Sequence, residues 1–154
     1  PTLPLIIVIS AYINTQATGI VLIIGFFSWM QTARVVRGAI LSVKENEYVT
    51  AAKSLGAKNR LIIFRHVLPN IVNSVVVGAT LGVGYAIIIE SALSFLGLGV
   101  SAPTPTWGNM LMDSQATMAT QPWLTIFPGM AILITVLFVN FIGDGLQDAL
   151  DPTL

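Results

Sequence analysis

The sequence contains no cysteine, which removes disulfides, cysteine zinc sites and thiol catalysis at once. Histidine is almost as scarce: His66 is the only one, so no H-E-x-x-H pair can be assembled, and His66 lies in a polar stretch away from the serines of the apolar segments. No glycine is followed by lysine, so the G-x-x-x-x-G-K-[ST] loop with which ATPases hold phosphate is missing. Charge is also thin, at 9% of residues, where soluble domains carry about 25%. Neither end has the acidic or basic run that engages nucleic acid. There is no internal repeat and no low-complexity segment. The opening at Pro1 lacks the basic stretch of a signal peptide.

What fills the 154 residues is apolar: 55% are hydrophobic, and the mean hydropathy is +0.83. That is the composition of a membrane protein. A bilayer core of about 30 Å needs roughly 20 helical residues. Residues 17–36, 70–90 and 123–142 meet that length as spans. Residues 3–13 do not, and are expected to be the outer end of a span whose beginning is missing. With Pro1 rather than Met at the start, the chain reads as lacking an N-terminal part. Residues 14–18 form a short turn. Val100 to Pro122, with Pro103 and Pro105 inside it, forms a loop that carries a short interfacial helix at Trp107 to Gln115.

All seven basic residues, Arg34, Arg37, Lys44, Lys53, Lys58, Arg60 and Arg65, fall in one island ending at Pro69. Lys and Arg collect in cytoplasmic loops, so residues 38–69 are expected inside and residues 100–122 outside. Trp107 and Trp123 then lie at the outer interface. Within the island, Tyr48, Ala51, Ala52 and Leu55 recur at helical spacing and predict a short helix with one apolar face. Gly56 stops it, as a glycine just past a helix end often does. A second short helix starts near Lys58, with Leu61, Phe64 and Leu68 on one face. Pro69 is expected to break or kink the path into the next span. The product is an elbow of two short helices joined at a glycine. As a set of charges it serves topology; as a rigid small-residue surface it serves docking.

Two further features carry alternatives. Gly78 and Gly82 suit close helix packing, since small residues let backbones approach in lipid, or else a hinge along a pore. Glu90 is too costly to face lipid and serves either a structural hydrogen bond near the outer end of its span or a substrate contact. The near absence of intramembrane ionisable residues argues against proton or ion coupling. A secondary carrier or a passive membrane anchor stays open on composition alone.

The pattern Ala51-Ala52-x3-Gly56-x11-Leu68-Pro69 resembles the EAA loop of ATP-binding-cassette importer permeases. Arg65-His66-Val67-Leu68-Pro69-Asn70, Glu90 to Gly99, Pro103 to Gly108 and Gly143 to Pro152 are similar to the second permease of dipeptide, oligopeptide and nickel importers, so the likeness covers nearly the whole chain. Thr50 departs from the glutamate that begins the family motif, and His66 from a commonly aliphatic position. The resemblance implies an all-α, polytopic transmembrane bundle of the type I importer permease fold, with residues 1–154 forming one N-terminally truncated domain. It implies an ATPase-coupling surface at Tyr48, Thr50, Ala51, Ala52, Lys53, Leu55, Gly56, Leu68 and Pro69, with Lys53, Lys58 and Arg60 on its polar rim. Implied partners are a second homologous permease, two cytoplasmic ATPase subunits or domains, an extracytoplasmic solute-binding protein and membrane lipid. ATP is bound by the ATPase and no cofactor by this chain, which is non-catalytic. The implied cargo is a di- or oligopeptide, with nickel as the alternative.

Overall fold

The computed structural model describes residues 2–13 and 17–150. Asn14 to Gln16 of the expected turn, and the last four residues, lie outside the described residues. Every regular element among the described residues is helical: α1 (Thr2–Tyr12), α2 (Ala17–Val43), α3 (Glu47–Ser54), α4 (Asn59–Leu61), a π-helical turn (Ile62–Val67), α5 (Leu68–Phe95), α6 (Trp107–Ser114), a 3-10 turn (Gln115–Thr117) and α7 (Trp123–Leu150). Among the described residues three helices are long and apolar enough to cross a membrane, Ala17–Val43, Asn59–Phe95 and Trp123–Leu150. The chain is therefore an all-α, polytopic membrane protein. α1, with 11 residues, reaches only about 16 Å.

The surfaces of the long helices carry the signature of an apolar solvent. Phe26, Trp29, Phe127, Phe138 and Phe141 are all more than half exposed. A water-soluble chain of this size would bury such side chains, each of which contributes about 1.5–3 kcal/mol on leaving water. Here lipid or neighbouring helices can take the place of a core.

The chain divides into two compact units, Pro1–Trp29 with Gly82–Phe141, and Met30–Leu81 with Ile142–Leu154. In the first, Ile6 of α1 and Ile89 and Leu93 of α5 are buried together, with Ile23, Ile24 and Phe27 of α2 against them. In the second, Val49 of α3, Ile62 and Val67 of the π turn and Ile71 of α5 form the core. Val36, Ala39 and Val43 of α2 pack on that cluster. α2 continues seven residues beyond the expected span end at residue 36, and those residues supply two of these contacts.

Pro69 does not break the chain's path. Asn59 to Phe95 is one helix of 37 residues, about 55 Å long at 1.5 Å per residue. The widened turn ahead of the proline absorbs its missing donor: the Leu68 N–H donates to the Ile63 carbonyl, five residues back. A helix so much longer than a bilayer core carries Arg60 and Arg65 at its leading end without a separate element.

Candidate functional site

The elbow is built as its residues dictate. Asn46, in extended backbone, caps α3, and its carbonyl accepts from the N–H groups of Val49 and Thr50 at 3.0 and 3.2 Å. Glu47 in the first turn and Lys53 in the last complement the helix dipole. At the far end Gly56 has φ +77°, a left-handed conformation that costs an L-residue roughly 1–2 kcal/mol. Two backbone bonds close this cap: the Gly56 N–H donates to Lys53 (2.9 Å) and the Ala57 N–H to Ala52 (3.1 Å). This is the Schellman arrangement, and it fixes the angle at which the chain leaves α3.

The apolar face of α3 is split by burial. Val49 is fully buried and Ala52 half-buried, whereas Tyr48, Ala51 and Leu55 face outward, Leu55 at 88% exposure. Val49 therefore anchors the helix to the π turn and α5, and the Tyr48–Ala51–Leu55 stripe is left for something else. Val49 was missing from the sequence-based set. Its signal was its position three residues before Ala52, on the side of the helix away from Leu55. The Tyr48 ring lies 6.2 Å from the His66 ring, and its hydroxyl accepts from the Asn46 side-chain amide at 3.3 Å. Thr50 turns its hydroxyl back on the Asn46 carbonyl at 3.4 Å, so it is engaged within its own helix. Lys53, Lys58 and Arg60 are exposed around the stripe. Leu68 and Pro69 are exposed as well, on the neighbouring helix.

The tightest approaches between α5 and α7 fall at glycines other than Gly78 and Gly82. A Cβ on Gly78 would meet Val35 at an ordinary 3.6 Å, and one on Gly82 would meet nothing within 4 Å. The tight positions are Gly84, where a Cβ would come within 3.3 Å of Asn140, and Gly143 of α7, where it would come within 3.1 Å of Leu81. Two residues turn a helix by about 200°, so Gly84 faces away from Gly82, and α7 lies on the Gly84 side. Lower in the same pair of helices the Asn73 side chain donates to the Leu150 carbonyl at 2.9 Å.

A second polar cluster closes the far end of α5. Gly97, at φ +75°, caps the helix as Gly56 caps α3, with the Leu98 N–H donating to Leu93 at 2.8 Å. Ser94, fully buried, donates to Glu90 at 2.7 Å and accepts from the Val100 N–H at 3.2 Å. Thr106 caps α6 by accepting from the Asn109 N–H, and the Asn109 side chain donates to the Val100 carbonyl at 2.8 Å. Glu90 thus holds a structural hydrogen bond. Gly99 and Gly108 are the residues that let the loop and α6 lie directly on Ser94. From sequence they entered only as the ends of the stretches Glu90 to Gly99 and Pro103 to Gly108, with no packing role assigned to either. Among the described residues no group of His, Asp and Glu is placed to hold a metal ion.

The whole chain, residues 1–154, matches the family model described as binding-protein-dependent transport system inner membrane component. It is 44% identical over its full length to the dipeptide transport system permease protein of Alkalihalophilus pseudofirmus. It is 42% identical, again over its full length, to the glutathione transport system permease proteins of Escherichia coli and Shigella flexneri. The chain spans 51% of the length of each of these relatives.

Proposed function

This chain belongs to the family of binding-protein-dependent transport system inner membrane components, and from that premise we propose that its elbow is the segment through which a partner ATPase drives the import of short peptides. The chain is a multi-pass component of the bacterial inner membrane, the permease part of an ATP-binding-cassette importer. In the proposed arrangement residues 38–69 form the cytoplasmic coupling loop and residues 100–122 an extracytoplasmic loop. A second homologous permease completes the pathway. Two ATPase subunits or domains bind the ATP, and a solute-binding protein delivers the cargo. A di- or oligopeptide cargo draws support from relatives named for dipeptide and glutathione.

The observation that carries this reading is the outward stripe Tyr48–Ala51–Leu55 on a short helix that is itself locked from behind. Burying Leu55 in a cleft would contribute about 1.5–3 kcal/mol, while Ala51 permits close backbone approach. Lys53, Lys58 and Arg60 would form a polar rim that sets register and on-rate more than affinity. Because Val49, Ile62, Val67 and Ile71 are one buried cluster, a push on α3 moves the leading end of α5 with it as a rigid body. A passive anchor has no use for an exposed leucine held at a fixed angle by a glycine cap.

The test uses the full-length permease, reconstituted with its companion permease, ATPase and peptide-loaded binding protein. Proline fixes φ near −65° and cannot occupy the Gly56 conformation. Gly56→Pro should insert normally yet lose binding-protein-stimulated ATP hydrolysis. Normal stimulation in that variant would refute the elbow as the coupling segment.

A further inference from the structure

The π-helical turn Ile62–Val67 is explained neither by membrane crossing nor by docking. Such turns are rare and lie frequently at functional sites. Its consequence lies in the spacing of the buried residues. Ile62, Val67 and Ile71 all face Val49, at intervals of five and four residues. In a regular α-helix five residues sweep about 500°, leaving Ile62 about 140° away from Val67. Hydrogen bonding from each residue to the fifth before it closes that gap. The wide register is what places both side chains on the anchor of the elbow.

The cause of the register sits two residues beyond its end. Pro69 has no N–H to offer the Arg65 carbonyl, and in an α-turn its ring would collide with that carbonyl. The turn widens instead, with the Leu68 N–H reaching Ile63. The Asn70 side chain adds a donor to the His66 carbonyl at 2.6 Å. The His66 ring, carried on the widened turn, lies beside the Tyr48 ring at the edge of the outward stripe.

We propose that Pro69 is a positioning residue: it holds Ile62–Val67 in the π register, and that register sets the angle of the Tyr48–Ala51–Leu55 stripe relative to α5. The proposal rests on the coupling role of the elbow. Removing one residue's worth of winding would rotate Ile62, and everything α3 rests on, by about a quarter turn or more about the α5 axis. The stripe would survive as a surface and point the wrong way.

Residues 1–154 hold no cysteine, so pairs introduced there report on this segment once any cysteines elsewhere in the full-length permease and its assembled transporter are replaced. Two double variants, Val49→Cys with Ile62→Cys and Val49→Cys with Val67→Cys, are oxidised in membranes with and without Pro69→Ala. With Pro69 present both pairs should cross-link. With Pro69→Ala the Val67 pair should persist and the Ile62 pair fall several-fold, and the ratio of stimulated to basal ATP hydrolysis should fall with it. In the Pro69→Ala background, deletion of Phe64, which is exposed, brings Ile62 and Val67 to four residues apart, a spacing that a regular α-turn places on one face, and should restore the Ile62 cross-link. An Ile62 cross-link that Pro69→Ala leaves unchanged overturns the proposal, as does one that deletion of Phe64 in that background fails to restore. So does a shifted cross-link with an unchanged stimulation ratio. Failure of the unmutated permease to co-purify with its ATPase would instead defeat the coupling role on which the proposal stands, whatever the cross-links show.

Discussion

Replacing Gly108 by alanine should destabilise the far end of α5 although it adds only one methyl group. A Cβ at Gly108 would lie 2.6 Å from Ser94 Cβ, 2.7 Å from the Ser91 carbonyl oxygen and 2.9 Å from Ser91 Cα. Non-bonded carbons prefer about 3.5–4.0 Å, so α6 must retreat by about an ångström. The obstacles are backbone and a Cβ, which cannot rotate away. Overpacking of this kind costs about 1–3 kcal/mol. The retreat also strains the hydrogen bond from Asn109 to Val100 (2.8 Å), for which a further loss of about 1 kcal/mol is typical. Against this, alanine gains no more than about 1 kcal/mol over glycine in helix propensity. The net is a loss of about 1–3 kcal/mol, and each kcal/mol lowers a melting temperature by about 2–4 °C for a domain of 150–250 residues. The assay is thermal unfolding of the detergent-solubilised full-length permease. Gly129→Ala is the control, since a Cβ there meets nothing within 4 Å, and it should be neutral or slightly stabilising. Equal melting temperatures for the Gly108 and Gly129 variants would refute the packing argument.

Two further outcomes follow from the same geometry. Thr106→Ala removes the oxygen that accepts from the Asn109 N–H at 3.2 Å. It should cost about 0.5–2 kcal/mol, the range for a lost N-cap, seen in the same melting assay, with Thr106→Ser close to the parent. Ile62→Ala empties part of the buried cluster behind α3 and should cost about 2–5 kcal/mol. Limited proteolysis should then cut the elbow faster while leaving α7 protected.

Much of the elbow could be read from residues alone. Gly56 announced a left-handed helix end because a polar stretch resumes two residues later at Lys58. Leu55 and Tyr48 announced an apolar stripe by their spacing. What periodicity could not decide was which apolar residues face inward. α3 is too short for a hydrophobic stripe to be told from a binding stripe, and Val49 is chosen by the neighbouring π turn, which lies outside α3. Pro69 misled for a related reason. A missing donor breaks a helix only if the preceding turns stay α-helical, and here they widen. Gly78 and Gly82 match a packing motif; α2 meets α5 at Gly78 through Val35, and α7 meets it on the Gly84 side. Helix neighbours are set by tertiary packing, not by the motif. The polar cluster around Ser94 was equally invisible, since Gly99 and Gly108 act by admitting a neighbour that lies 14 residues from the latter in sequence.

The central claim, that the outward stripe of α3 meets the ATPase, is tested most directly by site-specific cross-linking. Residues 1–154 have no cysteine, so single cysteines placed there report cleanly once any others in the assembly are replaced. In the full-length permease assembled with its ATPase, Leu55→Cys and Tyr48→Cys should cross-link to the ATPase through a short bifunctional reagent. Val49→Cys, buried behind the stripe, should not. Cross-links from positions 48 and 55 alone would establish the elbow as the contact. An ATPase that co-purifies yet is captured from neither position, or from position 49 just as well, would contradict the account.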